Sequence, residues 1–179
     1  MSFDKPNAFV LYSVIVLYHG GELLLLKRAS TKAFAPGRWT GVGGRVEADE
    51  FDDLERAALR ELKEEASLDK HDIDNLTLRR VLYHNRFSEP LTGLLYFTAH
   101  YQGEAPACPD GELHWKRPEV LGELDIIETT RQTLTYLIDD IRRDPEGDES
   151  VKIGVTHYGE NGKLTLISWS GLPNKVQYS

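Results

Sequence analysis

A chain of 179 residues accommodates one domain with a sizeable core and a small appendage. Forty per cent apolar and 28% charged residues is an ordinary globular composition. The formal net charge of −8 argues against a sequence-independent grip on long nucleic acid, which needs a basic face. A polyanionic small molecule stays open as a partner, because divalent metal can carry the positive charge locally.

From the N-terminus, Ala8 to Tyr18 is rich in Val, Ile, Leu and Tyr and predicts a buried strand. His19-Gly20-Gly21-Glu22 is a turn signal, and Leu23 to Leu26 returns as a second strand. Pro36-Gly37 breaks the chain before a glycine-dense loop, Arg38 to Gly44. A helix is expected from about Asp52 to Ser67, with capping-box spacing between Asp52 and Glu55. Strands near Leu76–His84 and Leu94–Gln102 follow, then a loop from Pro106 to Gly111 and a short extended piece, Glu112–Trp115.

The second long helix is expected over Ile126–Arg143, with Ile127, Leu134, Leu137, Ile138 and Ile141 as its apolar stripe. A polar break, RRDPEGDES, separates it from a terminal hairpin, Val151–Tyr158 and Lys163–Trp169. The layout is α/β, a mixed β-sheet with a helix on each side and an added C-terminal β-hairpin. Residues 1–143 form the main domain, and 144–179 an extension packed on it. That hairpin reads either as an extra sheet edge or as a dimer arm or active-site cover.

Cys108 has no internal partner and no Cys/His cluster beside it, so it reads as structural. No run suits a signal peptide or a membrane span, and a reducing cytoplasm is the expected compartment.

The chemistry is concentrated on the first helix. At the helical period Glu61, Glu64 and Glu65 fall at about 0°, 300° and 40°, on one side. Three like charges there repel unless a cation sits among them, and Leu54, Ala58, Leu62 and Ala66 dock the adjacent side. Carboxylates at the margin of a buried face, beside a glycine loop, suit an oxygen-ligand magnesium site. A solvated acidic helix with Arg60 and Lys63 as partners is the competing reading.

The stretch Gly44 to Leu68, GRVEADEFDDLERAALRELKEEASL, resembles the Nudix box, G-x5-E-x7-R-E-U-x-E-E-x-G-U with U aliphatic. Gly44, Glu50, Arg60, Glu61, Leu62, Glu64, Glu65 and Leu68 match its specified residue types. The resemblance covers roughly residues 8–143 and implies a Nudix α/β/α sandwich. It departs in two places. Nine residues instead of seven separate Glu50 from Arg60, leaving Glu50, Asp52 and Glu47 as candidates for the upstream acid. Ser67 replaces the closing glycine, which is expected to disturb the helix end.

By this resemblance Glu61, Glu64 and Glu65 bind Mg2+, or Mn2+ in its place, with a carbonyl from Gly43 or Gly44 completing the set. Arg60 orients the glutamates. The general base is Glu64, or Glu112 in the later Glu112-Leu113-His114-Trp115 segment. The implied reaction is hydrolysis of a nucleoside diphosphate linkage in a small nucleotide, with no membrane or long nucleic acid as partner and a homodimer as the possible assembly.

The run Phe34 to Gly44 resembles the segment leading into the box in enzymes that hydrolyse oxidised purine nucleoside triphosphates. An 8-oxo-dGTP-like nucleotide is therefore the lead substrate. ADP-ribose and dinucleotide polyphosphates are alternatives, as is nucleotide sensing without catalysis. Trp39 either stacks on a base or anchors packing. Lys27 and Arg38 either meet phosphates or form surface ion pairs. Tyr83, Asn85, Phe87 and Trp115 are the other base-pocket candidates. An isoprenoid-diphosphate isomerase is a more distant reading, since Cys108 has no evident partner.

Overall fold

The computed structural model describes residues 9–84 and 90–171. Among them nine strands form one mixed sheet. They are β1 (Phe9–His19), β2 (Glu22–Arg28), β3 (Trp39–Thr40), β4 (Asp74–His84), β5 (Leu91–His100), β6 (Ala107–Cys108), β7 (Gly111–Lys116), β8 (Lys152–Tyr158) and β9 (Leu164–Gly171). The order is β6-β7-β2-β1-β5-β4-β8-β9, with β3 paired to β2. Helix α1 (Leu54–Ala66) covers one face and α2 (Glu128–Arg143) the other, giving the α/β/α sandwich.

Residue alternation sorts the strands between the two faces. Leu24 and Leu26 pack with Leu62 and Ala66 of α1, while Leu23 and Leu25 pack with Leu134 and Leu137 of α2. A run of four leucines is what a strand buried on both faces requires. In β1, Leu11, Ile15 and Leu17 face α1, and Val16 faces α2. The long parallel pairing of β1 with β5, from Phe9↔Leu91 to Tyr18↔His100, carries this sorting to the next strand. Leu62 is fully enclosed, and such burial contributes roughly 1.5–3 kcal/mol.

Three local expectations change. Helix α1 begins at Leu54, two residues after Asp52, with Asp53 as its N-cap accepting from the Arg56 N–H at 3.0 Å. The additional residues ahead of it form a 3-10 turn, Ala48–Glu50, and a bend. Ser67 does not disturb the helix end. It adopts the left-handed cap itself, with φ 55° and its N–H on the Lys63 carbonyl at 3.0 Å. That conformation costs a non-glycine residue about 1–2 kcal/mol. In α2 the buried stripe is mixed. Leu134 and Leu137 are fully buried, Ile138 and Ile141 partly, and Thr129, Thr130 and Thr133 fill the rest. These small side chains leave room for the fully buried ring of Tyr96 on β5.

The terminal hairpin continues the sheet. Strand β8 runs parallel to β4, from Arg80↔Lys152 to Tyr83↔Val155, and β9 forms the outer edge. Buried charges tie it to α2. Arg80 makes two bonds to Asp140, at 2.6 and 2.9 Å, and Lys152 and Arg143 reach the same carboxylate. Arg80 also lies over the rings of Trp169 and Tyr136. The polar break is an ordered turn in which Asp144 accepts from Arg79 and from the N–H groups of Gly147, Asp148 and Glu149.

Candidate active site

The glycine loop passes beside β1 and is hydrogen-bonded to it. Ile15 N–H donates to Val42 O at 2.6 Å and Ser13 N–H to Gly44 O at 2.9 Å. Gly43 has φ 145°, and a Cβ there would sit 2.1 Å from the Ser13 carbonyl, so only glycine fits. A Cβ on Gly44 would meet the Glu61 carboxylate at 2.5–2.7 Å. The second glycine is therefore a cradle for that carboxylate. Its carbonyl, expected as a metal ligand, already accepts from Ser13.

Arg60 is the hub. Its Nε donates to Glu50 Oε1 at 2.7 Å and its Nη2 to Glu50 Oε2 at 3.0 Å and to the Arg45 carbonyl at 2.9 Å. Its Nη1 donates to Glu61 at 2.8 Å and Glu64 at 3.0 Å. Of the three upstream acids, Glu50 is the one that reaches the arginine, because the 3-10 turn carries it back over α1. The Arg60 guanidinium holds the Glu50 carboxyl down at about 2, and the Glu50 and Glu61 carboxylates push the guanidinium pKa still higher than usual.

Glu61 and Glu65 are buried against the loop, and Glu65 accepts from the Gly43 N–H at 2.8 Å. Burial raises both carboxyls, and Glu65 reaches about 7 despite the Gly43 bond. Negative charge from Asp110 and Glu61 adds to the effect at Glu65, and Arg28 opposes it. Glu64 is turned outward, its side chain 58% exposed, and meets only Arg60 among these groups.

Among the described residues no three His, Cys, Asp or Glu side chains already converge as a metal-ligand set. The donor chemistry nevertheless fits magnesium. Two buried carboxylates that repel each other stand beside a backbone loop, and Mg2+ is commonly held by one or two carboxylates with waters and substrate phosphates.

The other candidates separate by sheet face. Leu113 and Trp115 pack on the α1 side, so alternation turns Glu112 and His114 to the α2 side. Glu112 is exposed there, 3.1 Å from His114 Nε2, and is not brought to the α1 carboxylates. Lys27 shares that side, paired in register with Glu112 and Trp39. Trp39 is buried in the α2-side core beneath Lys116 and His114, which is the packing arrangement. Arg38 braces the approach to α2 through Asp125 and the Ile126 carbonyl. Trp115 stacks on Tyr101 and donates to Gly103 O, again as packing. Tyr83 lies on β4, across β5 from Leu11 of β1. Asn85 and Phe87 lie outside the described residues.

Sequence reasoning missed Arg28 and Asp110. Arg28 follows Leu24 and Leu26 at a spacing of two, and that alternation puts it on the α1 side, where its charge acts on Glu65. Asp110 had no local signal, because only the β6–β7 turn brings it toward α1. The Cys108 thiol at the end of β6 is pushed up by burial, which makes it a poor nucleophile.

A glycine loop laid on a sheet strand, with an Arg-centred carboxylate helix beneath it in an α/β/α sandwich, defines a Nudix-type fold. The family model described as NUDIX domain matches residues 10–137. The chain belongs to the Nudix family, as a hydrolase acting on phosphoric anhydride bonds.

Similar solved structures include a MutT protein from Bacillus halodurans, 18% identical with a TM-score of 0.64, covering 92% of this chain and 99% of that one. A MutT NUDIX hydrolase from Burkholderia pseudomallei is 25% identical with a TM-score of 0.58, covering 72% and 97%. The NUDIX domain of Shewanella oneidensis NrtR, complexed with ADP ribose, is 21% identical with a TM-score of 0.55, covering 78% and 88%. A comparison with curated protein sequences gives no match.

Proposed function

We propose that the protein hydrolyses a nucleoside diphosphate linkage with Mg2+, an oxidised purine nucleoside triphosphate being the lead substrate. The observation carrying this is the buried pair Glu61 and Glu65 beside the Gly43–Gly44 loop, Glu61 held by Arg60 and Glu65 by the Gly43 N–H. Glu61 and Glu65 would hold the metal, with Glu64 joining by turning away from Arg60. The metal supplies charge neutralisation at the diphosphate oxygens and a more acidic water. The protein positions the carboxylates and keeps their number and spacing fixed, as phosphoryl chemistry mainly requires.

Glu64 is the base this arrangement favours, being accessible and on the same helix as the pair, while Glu112 faces the other side of the sheet. The substrate rests on the Phe34–Gly44 resemblance. ADP-ribose is the second reading, supported by the bound ligand named for the Shewanella oneidensis domain. The uncharged edge strand β9 supports a homodimer.

Release of phosphate and pyrophosphate from nucleoside di- and triphosphates, ADP-ribose and dinucleotides with Mg2+ tests the proposal. Wild type is run beside Glu64→Gln and Glu65→Gln. Turnover of one compound that collapses in both variants supports hydrolysis and names the substrate. Equal, slow turnover of everything in all three proteins would overturn it.

A further inference from the structure

Beside the β1–β2 turn, three strands bring two histidines and an aspartate together. His19 ends β1 and pairs in register with Glu22, across a turn in which Gly20 and Gly21 take φ 57° and 83°. His100 ends β5, where its register partners are Tyr18 of β1 and Asp74 of β4. The two imidazoles meet through their nitrogens, His19 Nδ1 lying 3.0 Å from His100 Nε2. Their ring centroids are 5.2 Å apart and the planes are inclined at 48°. The other nitrogen of His100, Nδ1, lies 3.8 Å from the Asp74 carboxylate. Tyr18 and Trp115 flank the pair, with ring centroids 5.5 Å from His100 and 6.5 Å from His19. The His100 side chain is 26% exposed and held by this packing, while His19 is exposed and keeps freedom to turn. The pair stands about 20 Å along β1 from Ser13, which anchors the glycine loop, so it is separate from the carboxylate site.

We propose that His19 and His100 form a second metal site, taking a tetragonal transition-metal cation of the Cu2+ or Ni2+ class through a cis pair of imidazole nitrogens. Two nitrogens bound to one metal at about 2.0–2.1 Å are about 2.9 Å apart at a right angle and about 3.3 Å apart at a tetrahedral angle. The separation of 3.0 Å fits the first arrangement. At that distance two nitrogen lone pairs repel unless one nitrogen carries a proton or both meet a cation. With its proton on Nδ1, toward Asp74, His100 offers Nε2 as a ligand, and with its proton on Nε2, His19 offers Nδ1. Each neutral ring keeps its proton, so metal enters by a change of tautomer and displaces nothing else. Asp74 is a positioning residue that fixes the His100 tautomer, and His19 supplies the turn that aims both lone pairs at one centre. Water fills the remaining positions, since no third such ligand converges among the described residues. Imidazole suits copper and nickel, whereas Mg2+ takes oxygen ligands, so the two sites sort their metals by donor chemistry. Bound metal ties the β1–β2 turn to β5.

The test is Cu2+ titration of the full-length protein, followed by electron paramagnetic resonance. The proteins are wild type, His19→Ala, His100→Ala, Asp74→Asn and, as a control, His71→Ala at another exposed histidine. Wild type is expected to show hyperfine splitting from two imidazole nitrogens, undisturbed by excess Mg2+. His19→Ala and His100→Ala should each weaken binding at least about tenfold and remove the two-nitrogen pattern. Asp74→Asn should weaken it about threefold and keep the pattern, because both ligands remain. His71→Ala should match wild type. Thermal midpoints without metal separate ligand loss from damage to the fold, and if His100→Ala unfolds, the exposed His19→Ala decides alone. A two-nitrogen signal that survives in His19→Ala places the copper elsewhere and overturns the proposal. Displacement of Cu2+ by Mg2+, or wild-type affinity no better than that of His19→Ala, overturns it equally. None of these outcomes depends on turnover, so the hydrolase reading stands or falls separately.

Discussion

Arg60 and Glu50, ten residues apart, form a two-pronged ion pair, Nε to Oε1 at 2.7 Å and Nη2 to Oε2 at 3.0 Å. Glu50 is 3% exposed, so the pair clamps the loop onto α1 rather than decorating the surface. Arg60→Ala would leave Glu50 buried without its partner. Breaking a fully buried pair costs about 3–5 kcal/mol, and with Arg60 one-quarter exposed about 2–3 kcal/mol is expected, measured by urea unfolding at pH 7. The Glu50 contribution is present above its unfolded value of 4.5 and is lost as pH falls toward about 2. Unfolding midpoints in wild type should therefore drop below pH 4.5, and Glu50→Gln should blunt that drop.

Glu65 works in the opposite direction. Its folded carboxyl sits at about 7, above the ordinary 4.5, so the folded state binds the proton more tightly than the unfolded chain. Stability of the metal-stripped protein should fall as pH rises from about 4.5 to 7, by about 2–3 kcal/mol. Glu65→Gln should flatten this slope, and added Mg2+ should restore stability at pH 8. Thermal midpoints at pH 5 and 8, with and without chelator, check both. An unchanged slope in Glu65→Gln would show that another group is responsible.

The two loop glycines should fail differently on replacement by alanine. At Gly43 the new Cβ meets backbone, the Ser13 carbonyl at 2.1 Å, and the loop must leave β1. At Gly44 its nearest neighbours are the atoms of the Glu61 carboxylate, which can turn away. Gly43→Ala is therefore expected to lower stability by about 2 kcal/mol or more. Gly44→Ala should keep most stability yet lose metal affinity. Thermal unfolding alongside Mn2+ titration separates the two.

Asp140 is 3% exposed and receives Arg80, Arg143 and Lys152. Asp140→Ala would leave a buried guanidinium without its anion, at a cost of about 3–5 kcal/mol. Because Lys152 opens β8, amide exchange in Lys152–Tyr158 should rise first. Protection of β8 equal to wild type would count against this network as the hairpin's anchor.

Much of the fold was legible because hydrophobic period is a local property. The LLLL run of β2, the 3.6-residue stripe of α1 and the Gly159–Gly162 turn each act over a few neighbouring residues. The short β3 and β6 carried no such signal, since two-residue strands exist only where a partner strand aligns them. The polar face of α2 was also hidden, because threonines there answer to Tyr96, a residue from another element.

The sequence by itself determined that one helix carries Arg60, Glu61, Glu64 and Glu65 at the spacing of a single side, next to glycines that can approach them closely. Helical geometry suffices for that. Tertiary structure alone decided that Glu50 is the acid meeting Arg60, since the 3-10 turn sets the path between them. It also decided that Arg28, not Lys27 and Glu112, lies on the α1 side of the sheet with the carboxylates. The reason is that a strand's two faces differ by one residue, and only the packed sheet shows which face meets α1.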